Sequence, residues 1–300
     1  MIGSPVDMRG ITVKRIQVLT LIFLAGLLLN QPPAQATEPA GKSFKGALAV
    51  QLWSFRNDFK KDVPGTLKRV RELGFTNVEL AGYYGMTAKQ FRAELDRAGL
   101  KAVSMHVGYD AVRDHLDTII ADAKVLGVGY VGVPWIKSPF TRQDCLDAIN
   151  VFNQAGSKLA ANGLKFFYHL HGYEFVPDQG GQGTLFDLLM TKTDPRYVSM
   201  QLDTAHVAFP GQDPAQLMRK YPGRFTSLHV KDVRGDISGN NSGTFKDEDG
   251  RPLGKGKINW PDVLKAARKE GVRWYIVEDE APTVWQTIPE TLHYLDSVTF

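Results

Sequence analysis

A short pattern that ends in glycine recurs along the chain, and it limits the fold more than any other sequence feature. In each copy a segment with helical periodicity stops at a glycine, and a short run of mainly apolar residues follows. Glycine after a helix tolerates the left-handed backbone that ends it, and such apolar runs are typical of strands buried on both faces. Six runs of this kind are residues 75–80, 100–105, 130–133, 164–168, 224–230 and 272–277.

Two further runs, residues 47–52 and 198–202, bring the predicted strands to eight. Thr87 and Gln90 predict a capping box at the start of one intervening helix. Regular alternation of strands and helices indicates an α/β protein with a parallel sheet, and eight units favour a single-domain (β/α)8 TIM barrel. An open doubly wound sheet is the alternative, but no G-x-G-x-x-G follows the first strand. The helical patterns cover residues 63–73, 88–98, 109–126, 142–161 and 260–269.

The N-terminus has the pattern of a cleaved signal peptide. Lys14 and Arg15 precede a short apolar run that ends at Leu29, and Ala34-Gln35-Ala36 follows as a small-residue cleavage site. We expect a signal peptide over residues 1–36, the barrel domain over residues 37–300, and an exported protein that is periplasmic or secreted. A retained anchor is the alternative, but the run is shorter than the ~20 residues that span a bilayer, so no stable membrane insertion is expected after cleavage.

Charge and cysteine content narrow the protein class further. The formal net charge is +4 at neutral pH, and it falls to about +2 when residues 1–36, with three basic and one acidic side chain, are removed. A net charge this small does not indicate the basic surface that nucleic-acid-binding proteins carry, so no nucleic-acid partner is expected. The single cysteine, Cys145, cannot form an internal disulfide and is predicted to be a small buried residue in a helix.

One segment, residues 233–257, interrupts the alternation. It is rich in Gly, Asn, Asp, Ser and Lys and has few apolar residues, so we predict a long surface loop after the seventh strand. In a barrel such a loop lies on the catalytic face, where it could fold over a substrate. A disordered insertion is the alternative that composition leaves open.

Side chains that can bind a metal lie at the carboxyl ends of six of the predicted strands. The carboxyl ends of barrel strands converge at one rim. Carboxylates and imidazoles gathered there without a basic cluster would repel or shift their pKa values, so one divalent cation is the natural counter-charge. Oxygen and nitrogen ligands without a thiolate suit Mn²⁺, Mg²⁺, Co²⁺ or Zn²⁺. The residues are Glu79, His106, His169 with His171, Asp203, His229 and Glu278.

Five motifs resemble the xylose isomerase-like sugar (phosphate) isomerase/epimerase barrels over essentially the whole mature chain. The resemblance implies one divalent metal held by residues after strands five to eight. Carried over by motif, three of the ligands are Asp203, His229 and Glu278. The motifs are YHLHGYEF at residues 168–175, LDTAH at 202–206, LHVKD at 228–232, GKGKINW at 254–260 and YIVE at 275–278.

The fourth ligand is open between two residues. Many relatives end strand five with a glutamate, where this chain has His169 and then supplies Glu174 five residues later. Strand register favours His169, whereas the family's usual pair of glutamates beside the metal and the sugar carbon favours Glu174. We predict Glu174 as the fourth ligand, Glu174 and Glu278 as the catalytic pair, and His169 and His171 in contact with substrate or metal.

Lys231 follows His229 by two residues, so on an extended strand both share one face, and we predict that Lys231 stabilises an enolate oxygen. A solvated loop lysine is the alternative. Gln51 and two tryptophans close strands one and four, where they could stack against a sugar ring, with a place in the core as the alternative. The resemblance implies a sugar contact for the histidine after strand six. The further substrate-binding candidates are His106, His206, Trp53 and Trp135.

The predicted metal ligands, the pair of glutamates and Lys231 together predict metal-assisted removal of a proton next to a sugar carbonyl. Return of the proton gives an isomerase or epimerase, which is our prediction. Loss of a β-oxygen substituent gives a lyase, such as one that cleaves 3-keto-glycosides, which is the alternative. An exported enzyme rarely meets sugar phosphates, and the Gly-rich residues 180–183 lack the Lys-Ser/Thr of a P-loop, so the expected substrate is a non-phosphorylated small carbohydrate.

Two rival classes have different requirements. A metal-dependent endonuclease of the same superfamily would carry more metal ligands and a basic groove. A periplasmic sugar-binding protein without catalysis would have no need of Asp203, His229 and Glu278 together. Relatives are often dimers or tetramers, so the resemblance leaves a homo-oligomer open, although no exposed apolar stripe in the sequence supports one.

Overall fold

A computed structural model of the protein describes residues 44–237 and 239–300, so the predicted signal peptide lies outside the described residues. Eight parallel strands each pair with their neighbours in the chain, and the last pairs with the first to close a barrel. The predicted (β/α)8 fold is therefore confirmed. The strands are β1 (Ala47–Gln51), β2 (Asn77–Leu80), β3 (Lys101–His106), β4 (Tyr130–Val133), β5 (Lys165–His169), β6 (Val198–Asp203), β7 (Phe225–Val230) and β8 (Trp274–Val277).

The strands form where the apolar runs were found because their side chains are buried on both faces. Val50, Val131 and Leu202 have no exposed surface, and each fills space inside the barrel or beneath the outer helices. Three predicted strand ends are one residue short, since β3 extends to His106, β5 to His169 and β6 to Asp203. Both imidazoles are thus fixed by strand backbone.

The helices surround the barrel at the predicted places, with one correction. The predicted helix over residues 109–126 is two helices, because His115 leaves the helical region with φ −133° and ψ 32°. Across the described residues no helix combines the length and apolar character needed to cross a bilayer. The α-helices are Arg56–Phe59, Val63–Glu72, Ala88–Ala98, Tyr109–Asp114, Leu116–Leu126, Arg142–Ala161, Leu185–Lys192, Thr204–Ala208, Pro214–Lys220, Trp260–Lys269 and Val284–Ser297, and short 3-10 turns cover Leu52–Phe55, Tyr173–Phe175 and Asp247–Asp249.

The helix ends have the glycine caps and the capping box that the sequence predicts. Gly99 and Gly127 adopt left-handed backbone, with φ 69° and 75°, directly after their helices. The capping box between Thr87 and Gln90 is present. Cys145 is fully buried in its helix, as expected. These local signals therefore agree with the global fold.

The segment after β7 is folded over the carboxyl mouth of the barrel. Asp232–Val233 pairs with Gly250–Arg251 in a short antiparallel ladder. The buried Asp232 carboxylate accepts hydrogen bonds from the Trp260 indole at 2.8 Å and the Gly254 amide at 3.2 Å. Between these anchors Phe245 packs 4.6 Å from the His206 ring, centroid to centroid. The prediction of a loop on this face is confirmed for its described residues, and the disordered alternative is wrong for them.

Candidate metal and substrate site

The carboxyl ends of the strands surround one cavity of about 510 Å³. Strand register brings the polar residues together, since Asp203 pairs with His229 and Gln51 with Glu79. Asp203 and Lys231 lie just beneath the cavity wall, where Lys231 contacts Glu278. The predicted site residues that line the cavity are Trp53, His106, Trp135, His169, His171, His206, His229 and Glu278.

Asp203, His229 and Glu278 form one of two groups of side chains in the described residues that could hold a metal ion. One ligand atom from each lies within 4.8 Å of the others. His229 Nδ1 is 3.0 Å from Glu278 Oε2 and 3.8 Å from Asp203 Oδ2. All three side chains are buried. The structure thus brings together the three ligands that the motifs imply.

This donor set fits a divalent cation. Asp203 Oδ1 accepts the backbone N–H of His206 at 2.9 Å, whereas Asp203 Oδ2 is buried without a hydrogen-bond partner among the described residues. A buried carboxylate oxygen without a partner is costly, and a cation between the three side chains would satisfy it. Two carboxylates and one imidazole suit Mn²⁺, Mg²⁺, Co²⁺ or Zn²⁺.

Glu79 orients His229 from the interior of the barrel. Its Oε1 lies 2.5 Å from His229 Nε2, on the far side of the ring from the other two ligands. The Ser104 hydroxyl and the Gln201 amide donate to its other oxygen at 2.6 and 2.9 Å. Metal-binding histidines usually give their second ring N–H to such an acceptor. The contact therefore leaves Nδ1 directed at Asp203 and Glu278.

The second group of potential ligands consists of the imidazoles of His106, His169 and His229. His106 Nε2 and His169 Nδ1 both lie against Gln201 Oε1, at 2.9 and 2.7 Å. Because one amide oxygen accepts from both rings, their N–H groups are directed at it and away from a cation. Both ring nitrogens of His106 are engaged, since the Gln51 amide lies 3.4 Å from its Nδ1, whereas, within the described residues, His169 Nε2 stays free toward Asp203.

Lys231 is buried and forms part of the site. Its Nζ lies 3.1 Å from Glu278 Oε2, 3.8 Å from Asp203 Oδ2 and 2.5 Å from Glu280 Oε1. Only 3% of the side chain is exposed, so the alternative of a solvated lysine is wrong. The ammonium places a fixed positive charge beside the carboxylates.

Burial and neighbouring charges set the protonation of this group. Burial lowers the pKa of His229, but Glu278 and Glu79 outweigh it and raise the pKa to about 10. Burial raises the pKa of Asp203 to about 6, against the opposing charge of Lys231. Burial also favours protonation of Glu278, but Lys231 and His229 hold the pKa of this carboxyl well below its usual range. A metal ion would therefore have to displace a proton from His229 Nδ1.

The structure places His169, and not Glu174, beside the three ligands. His169 Nε2 is 3.9 Å from Asp203 Oδ2. The turn after β5 folds Glu174 back onto its own segment, where its carboxylate accepts the Tyr168 hydroxyl at 2.6 Å and the Gly172 amide at 2.7 Å. Glu174 neither lines the cavity nor joins the ligand groups. The geometry therefore does not support Glu174 as a ligand or as the second catalytic carboxylate, and strand register was the better guide.

Two neutral histidines, His171 and His206, also line the cavity. Burial lowers the pKa of His171 to about 3 and that of His206 well below its usual range. The Nδ1 atoms of both rings are buried and have no partner among the described residues. Lys231 Nζ lies 3.4 Å from His206 Nε2, and because an ammonium can only donate, Nε2 accepts and Nδ1 carries the hydrogen. His206 therefore presents an unused N–H donor.

The two tryptophans that were predicted to bind substrate, Trp53 and Trp135, both border the cavity. The Trp135 ring packs edge-on against His171 at 5.0 Å and Tyr173 at 4.8 Å. Trp53 is 46% exposed, so it is not a core residue. Both rings line the cavity, in keeping with a surface on which a sugar ring stacks.

Sequence reasoning missed several residues that take part in the site. Glu280 lines the cavity and alternates with Glu278, a spacing that places both on one face of an extended segment. Gln201 precedes Asp203 by the same spacing. Phe245, the one aromatic residue of the loop over residues 233–257, also lines the cavity. Each signal was present, but only the closed barrel shows which polar or aromatic residues are turned inward.

A closed parallel barrel with acidic and imidazole residues at its carboxyl mouth has the architecture of the TIM-barrel enzymes, whose active sites lie at that face. The chain belongs to the xylose isomerase-like TIM-barrel family, whose sequence model matches residues 67–298. The resemblance found in the motifs is therefore confirmed.

Among curated relatives, the chain is 26% identical to an inosose dehydratase of Geobacillus thermodenitrificans over 213 residues, which are 65% of this chain and 63% of that protein. It is 26% identical to the rhizopine catabolism protein MocC of Rhizobium meliloti, over 78% of this chain and 81% of the relative. A sugar phosphate isomerase/epimerase from Parabacteroides distasonis has a similar structure, with a TM-score of 0.70, 23% identity and coverage of 89% and 99% of the two chains. This last similarity concerns the fold alone.

Proposed function

We propose that this protein is a divalent metal-dependent enzyme that removes the proton next to a carbonyl group of a non-phosphorylated carbohydrate. The observation that carries the proposal is the convergence of Asp203, His229 and Glu278 around the unpartnered Asp203 Oδ2. His169 is the fourth residue close enough to contribute to this site. A divalent ion at these ligands supplies Lewis acidity that polarises a carbonyl and a neighbouring hydroxyl.

Glu278 is the residue that accepts the proton in this proposal. It lines the cavity, and its low pKa keeps it ionised at neutral pH. Lys231, 3.1 Å away, offsets negative charge as it develops on the substrate oxygen. The unused Nδ1–H of His206 can donate to a departing or a retained oxygen.

Among the outcomes of proton removal, we favour elimination of a β-oxygen substituent. Epimerisation requires a second proton carrier on the opposite face of the carbon, and Glu174, which was predicted for this role, is bound to Tyr168 and backbone amides. Elimination requires one base and one hydrogen-bond donor to the leaving oxygen, which Glu278 and His206 supply. The C–H proton moves to Glu278, the β C–O bond breaks, and the leaving oxygen, hydrogen-bonded by His206 Nδ1–H, takes up that proton from Glu278. The dehydratase among the curated relatives supports the same reaction class.

Epimerisation is the second candidate, because Glu280 brings another carboxylate to the cavity. Glu280 is held by Lys231 at 2.5 Å and by the Trp53 indole N–H at 3.0 Å. These contacts fix its position at the outer wall. A carbon bound between Glu278 and Glu280 could lose its proton to one residue and regain it from the other.

The charge of the cavity supports a substrate without phosphate. Among the described residues, no lysine or arginine lines it, whereas Asp247, Glu278 and Glu280 do. The nearby cations Lys231 and Arg56 are already paired with Glu280 and Asp247 respectively. A phosphate group would therefore meet carboxylates without a free basic partner.

Incubation of the Mn²⁺-loaded protein with keto- and aldo-sugars and their glycosides in D₂O tests the proposal. Elimination gives an unsaturated product and a released alcohol or water, whereas epimerisation gives a stereoisomer with deuterium at one carbon. Glu278→Gln should lose either reaction, and Glu72→Gln, a change at an exposed glutamate, should keep it. Sugar binding with no metal content, no unsaturated product and no deuterium exchange across the panel would support the non-catalytic binding protein instead.

We also propose that the protein is exported, on the strength of the signal pattern in residues 1–36. Expression of the full chain followed by N-terminal sequencing of the periplasmic fraction checks this. A mature protein that begins at residue 37 is expected, and an uncleaved membrane-bound chain would contradict the proposal.

A further inference from the structure

The cavity continues outward from the ligand group to a mouth built from aromatic side chains. Buried residues such as His229 and Glu278 form its inner wall, and Trp53, Trp135 and Phe245 contribute to the rest of its lining. Among the large apolar side chains of the described residues, only Trp53 and Val125 are exposed, at 46% and 44%. Of these two, only Trp53 borders the cavity. An exposed indole at such a position offers a stacking surface for a ring.

Trp53 is held in place despite its exposure. Its indole N–H donates to Glu280 Oε2 at 3.0 Å. The Arg56 guanidinium lies 5.2 Å from the ring centroid and pairs with Asp247 Oδ2 at 2.5 Å. Because Asp247 belongs to the loop after β7, these contacts tie the tryptophan to the segment that covers the mouth. A ring fixed in this way loses little conformational entropy when a ligand stacks on it.

Phe245, in the same loop as Asp247, is also held in place by its neighbours. Its ring packs 4.6 Å from His206 and 5.4 Å from Phe209, and the Lys231 ammonium lies 5.3 Å from its centroid. A free monosaccharide that reached Glu278 would have no need of two aromatic surfaces in addition to Trp135. The apolar side chains favour an aromatic second group. The carboxylates of Asp247 and Glu280 disfavour an anion, and because they already pair with Arg56 and Lys231 they offer no free partner to a cation, so the group should be neutral.

We propose that Trp53 and Phe245 form a subsite for an aromatic ring attached to the sugar, so that the substrate is a neutral aryl glycoside. The inference extends the proposed function, since the sugar itself would occupy the inner part of the cavity. In an elimination the aromatic group would leave as the alcohol or phenol, with its oxygen hydrogen-bonded by His206 and protonated from Glu278. The subsite can be tested by measuring glycoside affinity, without any turnover.

Isothermal titration of the Mn²⁺-loaded protein with paired phenyl and methyl β-glycosides of glucose, galactose, mannose and xylose tests the subsite. Aromatic pairs add about 0.5–1.5 kcal/mol beyond their buried area, so the phenyl member of at least one pair should bind about 2- to 12-fold more tightly than the methyl member. Trp53→Ala should remove this ratio. Val125→Ala, a change at the other exposed apolar residue, should keep it.

The outcomes separate the subsite from the reaction. Equal affinity for phenyl and methyl glycosides in every pair, or no binding of either, would overturn the subsite. An unchanged ratio in Trp53→Ala would do the same. A phenyl preference that depends on Trp53, in a protein that forms no unsaturated product and exchanges no deuterium with any sugar or glycoside, would establish the subsite and count against the proposed function.

Discussion

Glu79 Oε1 and His229 Nε2 lie 2.5 Å apart in the interior of the barrel and join β2 to β7. Glu79 is fully buried, and every neighbour that contacts its carboxylate is able to donate a hydrogen: Gln51, Ser104, Gln201, His106 and His229. Burial raises the pKa of Glu79, but the two histidines outweigh burial and hold the pKa below its usual range. An ionised Glu79 therefore fixes the ring that would serve the metal.

This relationship predicts that Glu79→Gln weakens metal binding. The amide is nearly the same size, but it has one acceptor oxygen in place of two and no negative charge. Its NH₂ group must therefore face donors on one side, and the bond to His229 is weakened. Loss of an outer partner of a metal-binding histidine typically costs about 10- to 100-fold in metal affinity. Titration calorimetry with Mn²⁺ or Zn²⁺ measures the change. Ser104→Ala removes a donor to the same carboxylate and leaves the histidine contact, so it should change the affinity much less; equal losses in both variants would contradict the orienting role.

Glu278→Gln should abolish turnover while the fold remains. The amide cannot take up a proton, and loss of a general base typically lowers the rate about 10²- to 10⁴-fold. Circular dichroism should show unchanged secondary structure, since Glu278 lies after the last residue of β8. Wild-type turnover in the variant, once a substrate is known, would remove Glu278 from the catalytic set.

The sequence predicts the barrel well because strands that are buried on both faces consist of consecutive apolar residues, which are visible in the sequence. It also places Asp203, His229 and Glu278 at the carboxyl ends of such runs, but only the resemblance to the family singled out these three as ligands. It could not decide between His169 and Glu174, since the choice depends on how the turn at Gly172, with φ 89°, redirects the chain after β5. Contacts such as that of Glu79 with His229 join distant strands, and no local pattern encodes them.

Variants at His169 and Glu174 should separate metal binding from stability. His169→Gln is expected to lower metal affinity by about tenfold or more, because its imidazole lies beside Asp203. Glu174→Gln should leave the affinity unchanged and lower the free energy of unfolding by about 1–3 kcal/mol, because it disturbs a buried hydrogen-bonded carboxylate. Metal titration and urea denaturation measure the two effects. Loss of metal binding in Glu174→Gln with the His169 variant unaffected would restore the alternative assignment.

The stability of the metal-free protein should fall as the pH rises from about 7 to about 9.5. Glu278 and Glu79 outweigh burial and raise the pKa of His229 from 6.5 to about 10 in the folded chain. The folded protein then holds a proton that the unfolded chain releases, so this stabilisation is complete below pH 6.5 and is lost as the pH passes through about 10. Burial lowers the pKa of His169 and His206, and such groups are neutral in both states throughout this range.

Thermal unfolding in EDTA, followed by circular dichroism, measures this dependence. The wild-type Tm should decline across the range, and His229→Gln, which has no imidazole at this position, should lack that part of the decline. Saturating Zn²⁺ should also reduce the slope, because binding through Nδ1 displaces the proton that titrates. A wild-type profile as flat as that of His229→Gln would show that the carboxylates do not hold a charged imidazole between them, and would argue against the arrangement of Glu79, His229 and Glu278 described above.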